Sequence, residues 1–395
     1  MRKIAFVTVA GYGHVNPVLA SISELRSLGV DVLAYSAEAF RPSLEAAGAR
    51  FKPVTTEFGK NPPPLGLKPE ELMAVFFPRL AADCRMVATE ILPDLEKERP
   101  DLVVYDNFSL GGRLAAQILK LPAAAFFCSY ASNHEFSLFR NSHSPEAMQS
   151  EPVTSFLKTV NELTSAHGLP AFTVKDVFQH SAPLNLVFMP RAFQPKGDTF
   201  DSTYRFVGPQ IAPRPVAESL SPAVLEKRPI LYISLGTVFN TWPEFFSLCF
   251  EAFAGNKWNV IMAVGQFNDL SALAGAAPKN FTVLPHAPQL EILPRANAFI
   301  THAGMNSTME SLSNGVPMVA IPQMEEQMVT AVRIAELGLG AHLKREEVSS
   351  ESLLREVERI SSDEKIRENV GRMREAVLST GGYRETAQAL LEMVK

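Results

Sequence analysis

The chain has 395 residues, with a hydrophobic fraction of 46% and a charged fraction of 20%, a balance typical of globular proteins that excludes extensive disorder. This length exceeds that of one ordinary core, so two domains of comparable size are expected. The 37 Lys and Arg against 42 Asp and Glu give a formal net charge of −5 without a basic block, which argues against nucleic acid as a partner.

The N-terminus and the cysteines indicate where the protein is located and whether it depends on disulfides or metals. The first apolar run stops at Gly11 after seven residues, and no convincing cleavage site follows, so it predicts a strand and not a signal peptide. No later stretch has the apolar length of a membrane helix. Cys84, Cys128 and Cys249 are odd in number and scattered, which predicts buried free thiols and neither a disulfide framework nor a metal site. We expect a cytoplasmic protein.

The first half alternates short apolar runs with helical patterns. After the first strand, Asn16 and Pro17 are typical of the cap and first position of a helix that Gly29 ends. Further strands are predicted at 30–36, 101–106, 123–129, 184–190 and 204–209, with a helix at 112–119. The strand–helix–strand order predicts a parallel sheet covered on both faces.

Two segments of the first half lose this pattern, residues 58–68 and 133–181. Long irregular insertions on an α/β scaffold tend to be functional, so loops that serve the site are expected here. Residues 211–229 contain four prolines and show no period, which predicts a linker.

The second half restarts the same rhythm, with strands at 230–237, 259–265, 281–285, 298–304 and 317–322 and a capped helix from Thr241 to Gly255. Two successive doubly wound halves predict facing nucleotide-binding domains with the ligand cleft between them. We therefore predict an N-terminal acceptor domain (1–210), the linker (211–229), a C-terminal donor domain (230–380) and a final helix (381–395). That helix either stays on the second domain or crosses back to the first.

A candidate anion site follows the fourth strand of the second half. His302 stands at the end of the strand, Gly304 breaks it, and Asn306 and Ser307 open the next helix. Free backbone N–H groups and the helix dipole at such a turn favour a bound phosphate. Glu310 lies one turn on, where a carboxylate can reach ribose hydroxyls. Taken singly, Asn306 and Ser307 are about as well explained as helix caps, and a histidine such as His302 is more often a buried residue than a ligand contact. Only the conjunction of these residues favours a nucleotide site.

A second candidate site, GYGHVNP, ends the first strand. Gly11 and Gly13 have the spacing of a dinucleotide fingerprint, but Asn16 replaces the third glycine, which disfavours a nicotinamide enzyme. His14 lies on a strand-end loop that faces the predicted cleft, although a lone histidine is more often non-functional. Asp106 ends another strand, either as a functional carboxylate or as a cap for the following helix.

These motifs together resemble a known family. GHVNP, SLGT, HAPQ, THAGMNSTME, NGVP and the EEQ run follow the order and approximate spacing of family 1 UDP-glycosyltransferases, and the whole chain resembles their bacterial macrolide-glycosyltransferase-like branch. The resemblance covers nearly the full length. It implies an α/β GT-B fold, in which two facing Rossmann-like domains with parallel sheets form an interdomain cleft and the C-terminal domain holds most of the donor.

The resemblance also implies the residues that hold a UDP-sugar. His286 would stack on uracil, the backbone of Ala287 and Gln289 would hydrogen-bond to it or nearby, and Glu310 would hold the ribose. The diphosphate would contact Thr237, His302, Gly304, Asn306 and Ser307, and the sugar hydroxyls would contact Glu326 and Gln327. Many relatives have Trp at the position of His286 and Asp at that of Glu326, so the base and hexose preferences stay open.

In the resembled family His14 is the general base and Asp106 its orienting carboxylate. The base removes the acceptor hydroxyl proton as the oxygen attacks the anomeric carbon, and the displacement inverts that centre. UDP is a good leaving group whose charge the helix N–H groups and His302 meet. We expect no cofactor and no metal requirement.

The acceptor side carries weaker signals. We expect transfer of a hexose, glucose in particular, to a small, largely apolar hydroxylated acceptor such as a flavonoid, macrolide or terpenoid. Phe77 and Ser129 are the candidate acceptor contacts, with ordinary core packing as the alternative for each. Two rival functions are a UDP-sugar epimerase on the same fold and a non-catalytic UDP-sugar-binding protein. We expect a monomer or weak homodimer.

Overall fold

The computed structural model describes residues 1–58, 69–138, 149–179, 181–212, 220–236 and 240–394. The chain divides into two compact units: the first unit is Met1–Ala212 with Thr380–Lys395, and the second unit is Pro213–Ser379. The division falls at the start of the proline-rich stretch, of which residues 213–219 lie outside the described residues. The final helix belongs to the first unit, which is the second of the two placements considered for it.

In the described part of the first unit, a seven-stranded sheet has the order β3-β2-β1-β4-β5-β6-β7. Every adjacent pair of these strands is parallel, as predicted from the strand–helix alternation. The strands are β1 (Lys3–Val7), β2 (Asp31–Ser36), β3 (Arg50–Pro53), β4 (Leu102–Asp106), β5 (Ala123–Phe127), β6 (Asn185–Val187) and β7 (Tyr204–Phe206).

The helices of the first unit cover the sheet and build a second apolar cluster beside it. They are α1 (Tyr12–Ser27), α2 (Arg41–Ala46), α3 (Pro69–Glu98), α4 (Leu110–Ile118), α5 (Glu151–Ala166), α6 (Val174–Phe178) and the C-terminal helix, numbered last below. A helix that carries Phe77 was expected after the first irregular segment, and the 30-residue α3 is that helix.

Helix α1 begins earlier than predicted. Gly11 is extended (φ −165°, ψ 143°), and its carbonyl accepts from the amides of His14 (3.0 Å) and Val15 (2.9 Å), so the helix starts at Tyr12. Pro17 therefore lies inside the helix and not at its first position. His14, predicted on a loop, occupies the first helical turn. Gly29 ends the helix as predicted, with φ +78°.

The interpretation of residues 133–181 as irregular was wrong for part of the segment, because α5 and α6 lie within it. Val153, Phe156 and Val160 recur at helical spacing and are each 1% exposed or less. This stripe packs in the apolar cluster that α3 also supplies. Residues 59–68 and 139–148, which hold most of the other predicted loop and part of this one, lie outside the described residues.

The second unit holds, within its described residues, a six-stranded sheet of order β10-β9-β8-β11-β12-β13, again with parallel neighbours. Its strands are β8 (Ile230–Ser234), β9 (Asn259–Ala263), β10 (Phe281–Leu284), β11 (Ala298–Thr301), β12 (Met318–Ala320) and β13 (Gly340–His342). Tyr232 and Phe299, on the adjacent β8 and β11, stack with their ring centroids 4.7 Å apart.

The helices of the second unit are α7 (Pro222–Leu225), α8 (Pro243–Phe253), α9 (Leu270–Ala276), α10 (Gln289–Ile292), α11 (Met305–Ser313), α12 (Glu325–Glu336), α13 (Ser350–Ser362) and α14 (Glu364–Leu378). The capped helix predicted from Thr241 is α8, whose N-cap position is Trp242, a residue without a capping bond. All three cysteines of the chain are free and buried, as predicted.

The C-terminal helix α15 (Gly382–Met393) packs against α1 within the first unit. Ala387 and Leu390 are fully buried in the core that covers the sheet. The amide of Gly382 donates to the carbonyl of Val207 at 2.8 Å. The segment after β7 therefore anchors the start of the C-terminal helix.

Gly208 is the tightest point of this anchor, and replacing it by alanine should destabilise the first unit. Its φ is +78°, and an added Cβ would overlap the side chain of Thr380. Gly168 has a similar φ of +67°, but an added Cβ there would meet nothing within 4 Å. Gly168→Ala therefore measures the backbone strain alone, which costs about 1–2 kcal/mol. We expect Gly208→Ala to cost about 1–3 kcal/mol more than Gly168→Ala in urea unfolding. Equal losses in the two variants would contradict the anchoring role.

Candidate functional site

Both sheets place their candidate residues where the strand order reverses. In the first sheet β1 lies between β2 and β4, and in the second sheet β8 lies between β9 and β11. Crossovers leave opposite faces of the sheet at such a point, which opens a crevice outside the carboxyl ends of the two central strands. His14 follows β1 and Asp106 ends β4, whereas Gly236 follows β8 and His302 follows β11.

The structure brings His14 and Asp106 together. Nδ1 of His14 lies 2.7 Å from Oδ2 of Asp106, whose side chain is fully buried, while the His14 side chain is 31% exposed. The second carboxylate oxygen accepts from the amide of Phe108 at 3.0 Å. Because an ionised carboxylate only accepts hydrogen bonds, Nδ1 carries the imidazole proton and Nε2 is the basic nitrogen.

The alternative role of Asp106 as the cap of the next helix is not observed. Helix α4 begins at Leu110, its N-cap residue is Ser109, and no side chain makes a capping bond there. One carboxylate oxygen of Asp106 instead bonds to His14, and the other accepts from the Phe108 amide. The pair is therefore a histidine held in one orientation and one tautomer by a buried carboxylate.

Aromatic rings line the surroundings of His14. Phe108 meets the imidazole edge-on with centroids 6.2 Å apart, and Phe76 of α3 meets Phe108 in the same way at 6.4 Å. Both rings are half-buried. The sequence analysis did not single out Phe108, although it follows Asp106 by only two positions and was within reach of the same argument.

Phe77, predicted as an acceptor contact, lies in the core. It is 1% exposed and its ring centroid is 5.1 Å from that of Phe156 on α5. Successive helix positions differ by about 100° in direction, so its neighbour Phe76 turns toward Phe108 while Phe77 turns inward. Phe77 therefore takes the alternative stated for it, ordinary core packing.

Ser129 lies just beyond the end of β5, the strand next to β4. Its hydroxyl oxygen is buried and makes no hydrogen bond within the described part of the chain. The preceding Cys128 donates its thiol to the carbonyl of His14 at 3.7 Å. Ser129 therefore follows the strand next to the one that ends at Asp106, and its contact with an acceptor stays a prediction.

In the second unit, three of the predicted donor residues form one hydrogen-bonded group. Nε2 of Gln289 donates to Oε2 of Glu310 at 2.6 Å and to Oγ of Ser307 at 3.3 Å. Gln289 opens α10, and the other two lie on α11. Glu310 is 3% exposed, so the amide fixes a carboxylate that is almost withdrawn from solvent.

His302 is enclosed by two glycines. A Cβ on Gly236 would come within 2.6 Å of Nε2 of His302, and a Cβ on Gly304 would overlap the same atom. Ala303 between the histidine and Gly304 adopts φ +63°, which is rare for a residue with a Cβ. The chain turns at this strained residue into α11, whose N-cap position is Gly304. Only glycine leaves room for the imidazole on both sides.

Burial lowers the pKa of His302 to about 4, although the neighbouring Ser234 backbone opposes part of the shift. Its Nδ1 is buried without a hydrogen bond of ordinary geometry to any described residue. His302 is therefore neutral near pH 7 and can offer an anion an N–H group but no positive charge. The backbone amides at the start of α11 supply the electrostatic attraction.

The depressed pKa of His302 predicts a pH-dependent stability. Between pH 6.5 and 4 the unfolded chain binds a proton at this histidine that the folded chain does not, so the free energy of unfolding falls as pH falls. Relative to a His302→Asn variant, the native chain should lose about 2 kcal/mol between pH 7.5 and pH 5. Urea unfolding of both proteins at the two pH values measures this difference, and parallel pH curves would contradict the shift.

The remaining predicted donor residues differ in accessibility. His286 is exposed, while Ala287, Asn306 and Glu326 are half-buried. Gln327 is 7% exposed and its amide oxygen accepts from the backbone of Gln323 at 2.8 Å, which leaves its NH₂ group as the part suited to a sugar hydroxyl. Thr237 lies outside the described residues.

Comparisons with known proteins identify the family. A family model described as UDP-glucoronosyl and UDP-glucosyl transferase matches residues 222–377. The chain is 38% identical over 396 residues to the NDP-glycosyltransferase YjiC of Bacillus licheniformis, covering 98% of this chain and 97% of the relative. The chain belongs to the UDP-glucoronosyl and UDP-glucosyl transferase family. This confirms the resemblance to family 1 UDP-glycosyltransferases that the motifs indicated.

Two further similarities support the bacterial branch of the family. The demethyllactenocin mycarosyltransferase of Streptomyces fradiae is 33% identical over 393 residues, which cover 97% of this chain and 84% of that enzyme. The crystal structure of CalG4, the calicheamicin glycosyltransferase, matches with a TM-score of 0.86 and 32% identity, over 100% of this chain and 98% of the other. This UDP-glycosyltransferase family member is thus a glycosyltransferase enzyme, and its predicted α/β GT-B fold is confirmed.

The family assignment does not favour the rival functions, a UDP-sugar epimerase or a non-catalytic binding protein. In the described part of the chain, no helix combines the length and apolar character that crossing a bilayer requires.

Proposed function

We propose that this glycosyltransferase transfers a hexose, glucose in particular, from a UDP-sugar to a hydroxyl of a small, largely apolar acceptor, with inversion at the anomeric carbon. The observation that carries the proposal is the 2.7 Å hydrogen bond between Nδ1 of His14 and the fully buried Asp106. It fixes the tautomer in which Nε2 accepts a proton, as a general base requires.

In the proposed reaction Nε2 of His14 takes the proton of the acceptor hydroxyl while its oxygen bonds to the anomeric carbon. The bond from that carbon to the diphosphate oxygen breaks on the opposite side, and UDP leaves with the electron pair. Asp106 stabilises the imidazolium that forms. A single displacement of this kind converts an α-linked donor into a β-linked product.

The donor residues of the second unit fit a nucleoside diphosphate. The amides at the start of α11 and the neutral His302 would meet the charge that grows on the diphosphate. Glu310, oriented by Gln289, would accept from ribose hydroxyls, and the exposed His286 would stack on the base. We propose that these groups suffice without a metal ion or other cofactor.

The half-buried Phe76 and Phe108 support an apolar acceptor, because flat or extended hydrophobic molecules gain most from contact with aromatic faces. The names of the relatives agree with this class, since one is a demethyllactenocin mycarosyltransferase and another a calicheamicin glycosyltransferase. We extend the proposal to flavonoids, macrolides and terpenoids as acceptors to be tested.

The test is a mass-spectrometric screen of UDP-glucose and other UDP-sugars against a panel of these acceptors, with UDP release measured with and without EDTA. We expect an acceptor-dependent mass gain of one hexosyl group, with a β-linkage by NMR and no loss of rate in EDTA. Sugar interconversion without an acceptor would favour the epimerase. Retention of the anomeric configuration would overturn the inverting mechanism, and loss of rate in EDTA would overturn metal independence.

A further inference from the structure

Three ligand atoms of different chemistry converge at the His14–Asp106 pair. A ring nitrogen of His14, a carboxylate oxygen of Asp106 and Sγ of Cys128 all lie within 4.8 Å of one another. Asp106 is fully buried and Cys128 is 6% exposed, so His14 is the side through which solvent reaches the group. We refer to these three residues as the NOS cluster.

The fold holds the NOS cluster together through its central strands. Asp106 ends β4, and the parallel neighbour β5 places Phe126 opposite it, so that Cys128 lies two residues past this point. The thiol donates to the backbone carbonyl of His14 at 3.7 Å, which brings the sulfur onto the first turn of α1. The cysteine is thus buried beside His14 and Asp106 and not exposed on the surface.

One nitrogen, one oxygen and one thiolate sulfur form a ligand set suited to zinc, which binds these atoms at about 2.0–2.3 Å and completes four-coordination with water. Mg²⁺ and Ca²⁺ prefer oxygen ligands and are disfavoured by the sulfur. Tetrahedral bonds of that length separate nitrogen and oxygen ligands by about 3.3 Å. Nδ1 of His14 and Oδ2 of Asp106 are now 2.7 Å apart, so a small increase in this distance would make room for the ion.

We propose that the NOS cluster is an inhibitory site for zinc or a similarly soft divalent cation. Coordination replaces the hydrogen bond between the imidazole and the carboxylate, and the Cys128 thiol loses its proton to solvent. A metal on Nδ1 moves the remaining imidazole proton to Nε2. The nitrogen that would accept the acceptor proton is then already protonated, so transfer stops. The inhibition rests on the proposed role of His14, whereas the binding of the ion does not.

The experiment uses the full chain, freed of metal with EDTA and exchanged into a chelator-free buffer without thiols. Zinc affinity is measured by competition with a chromophoric chelator, and Co²⁺ is used as a second probe through its thiolate charge-transfer absorption. We expect one tight ion per chain, a Co²⁺–thiolate band, and reversal of zinc inhibition by EDTA. Binding should tighten as pH rises, because the ion displaces the thiol proton.

Cys128→Ser should bind zinc at least about tenfold more weakly, lose the Co²⁺ band and keep the basal transfer rate, because the thiol takes no part in transfer. Cys128→Ala serves as the second variant, and circular dichroism verifies the fold of both. Cys84→Ser is the matched control. That thiol is buried in α3, its pKa is raised by burial to about 12, and it lies outside the cluster, so zinc sensitivity should match the native chain.

Two results would overturn the proposal: no bound zinc at micromolar concentration, or zinc affinity and inhibition unchanged in both Cys128 variants. If zinc binds and requires Cys128 while no acceptor is ever glycosylated, the metal site stands and the proposed function fails. If transfer occurs but zinc does not bind, the proposed function stands and the metal site fails.

Discussion

Replacing His14 by alanine is expected to lower kcat about 10²- to 10⁴-fold, the usual contribution of a positioned general base. The variant should still bind UDP with unchanged affinity, because the candidate donor residues lie in the second unit. Steady-state kinetics with a UDP-sugar and an acceptor measure the loss, and calorimetric titration with UDP verifies the donor site. Full activity in His14→Ala would refute the assignment of the base.

Two companion variants sharpen this result. His134→Ala removes a histidine of the same unit whose side chain is 77% exposed, and it should leave kcat unchanged. Asp106→Asn should lose most of the rate although His14 remains, because an amide can donate to Nδ1 and hold the wrong tautomer. If Asp106→Asn were as active as the native chain, the carboxylate would have no orienting role.

Replacing Gly304 by alanine is expected to weaken UDP binding about 10- to 100-fold, the second largest effect. The backbone at Gly304 (φ −65°) accepts any residue, so strain is not the cause. The new Cβ would overlap Nε2 of His302 and approach Cε1 at 3.0 Å, which forces the imidazole out of its place beside α11. Loss of one charge-assisted hydrogen bond to the diphosphate, together with the displaced turn, accounts for the magnitude.

Gly371→Ala is the matched control, since this glycine of the second unit has nothing within 4 Å of an added Cβ. It should bind UDP like the native chain. The double variant Gly304→Ala/His302→Ala should bind no more weakly than His302→Ala alone, because the overlap disappears with the ring. Additive losses in the double variant would show that Gly304 acts on UDP binding independently of His302.

The sequence alone indicated much of this architecture. Alternating apolar runs and helical patterns predicted parallel sheets in both halves, because parallel strands buried on both faces read as continuous apolar segments. Strand ends were located well enough to single out His14, Asp106 and His302, since the residue after a buried strand is set by where the apolar run stops. The spacing of the motifs then predicted the family that the comparisons confirmed.

Only the tertiary structure decided which residues meet. Phe76 and Phe77 are the same residue type at adjacent positions, and the helix places the first against Phe108 and the second against Phe156 in the core. Helix α5 carries an apolar stripe at helical spacing that a local pattern could have found, whereas its packing against α3 follows only from the tertiary structure. The Gln289–Glu310 bond and the Cys128 thiol at His14 join residues distant in sequence. Such contacts follow from strand order and packing, which a local pattern does not encode.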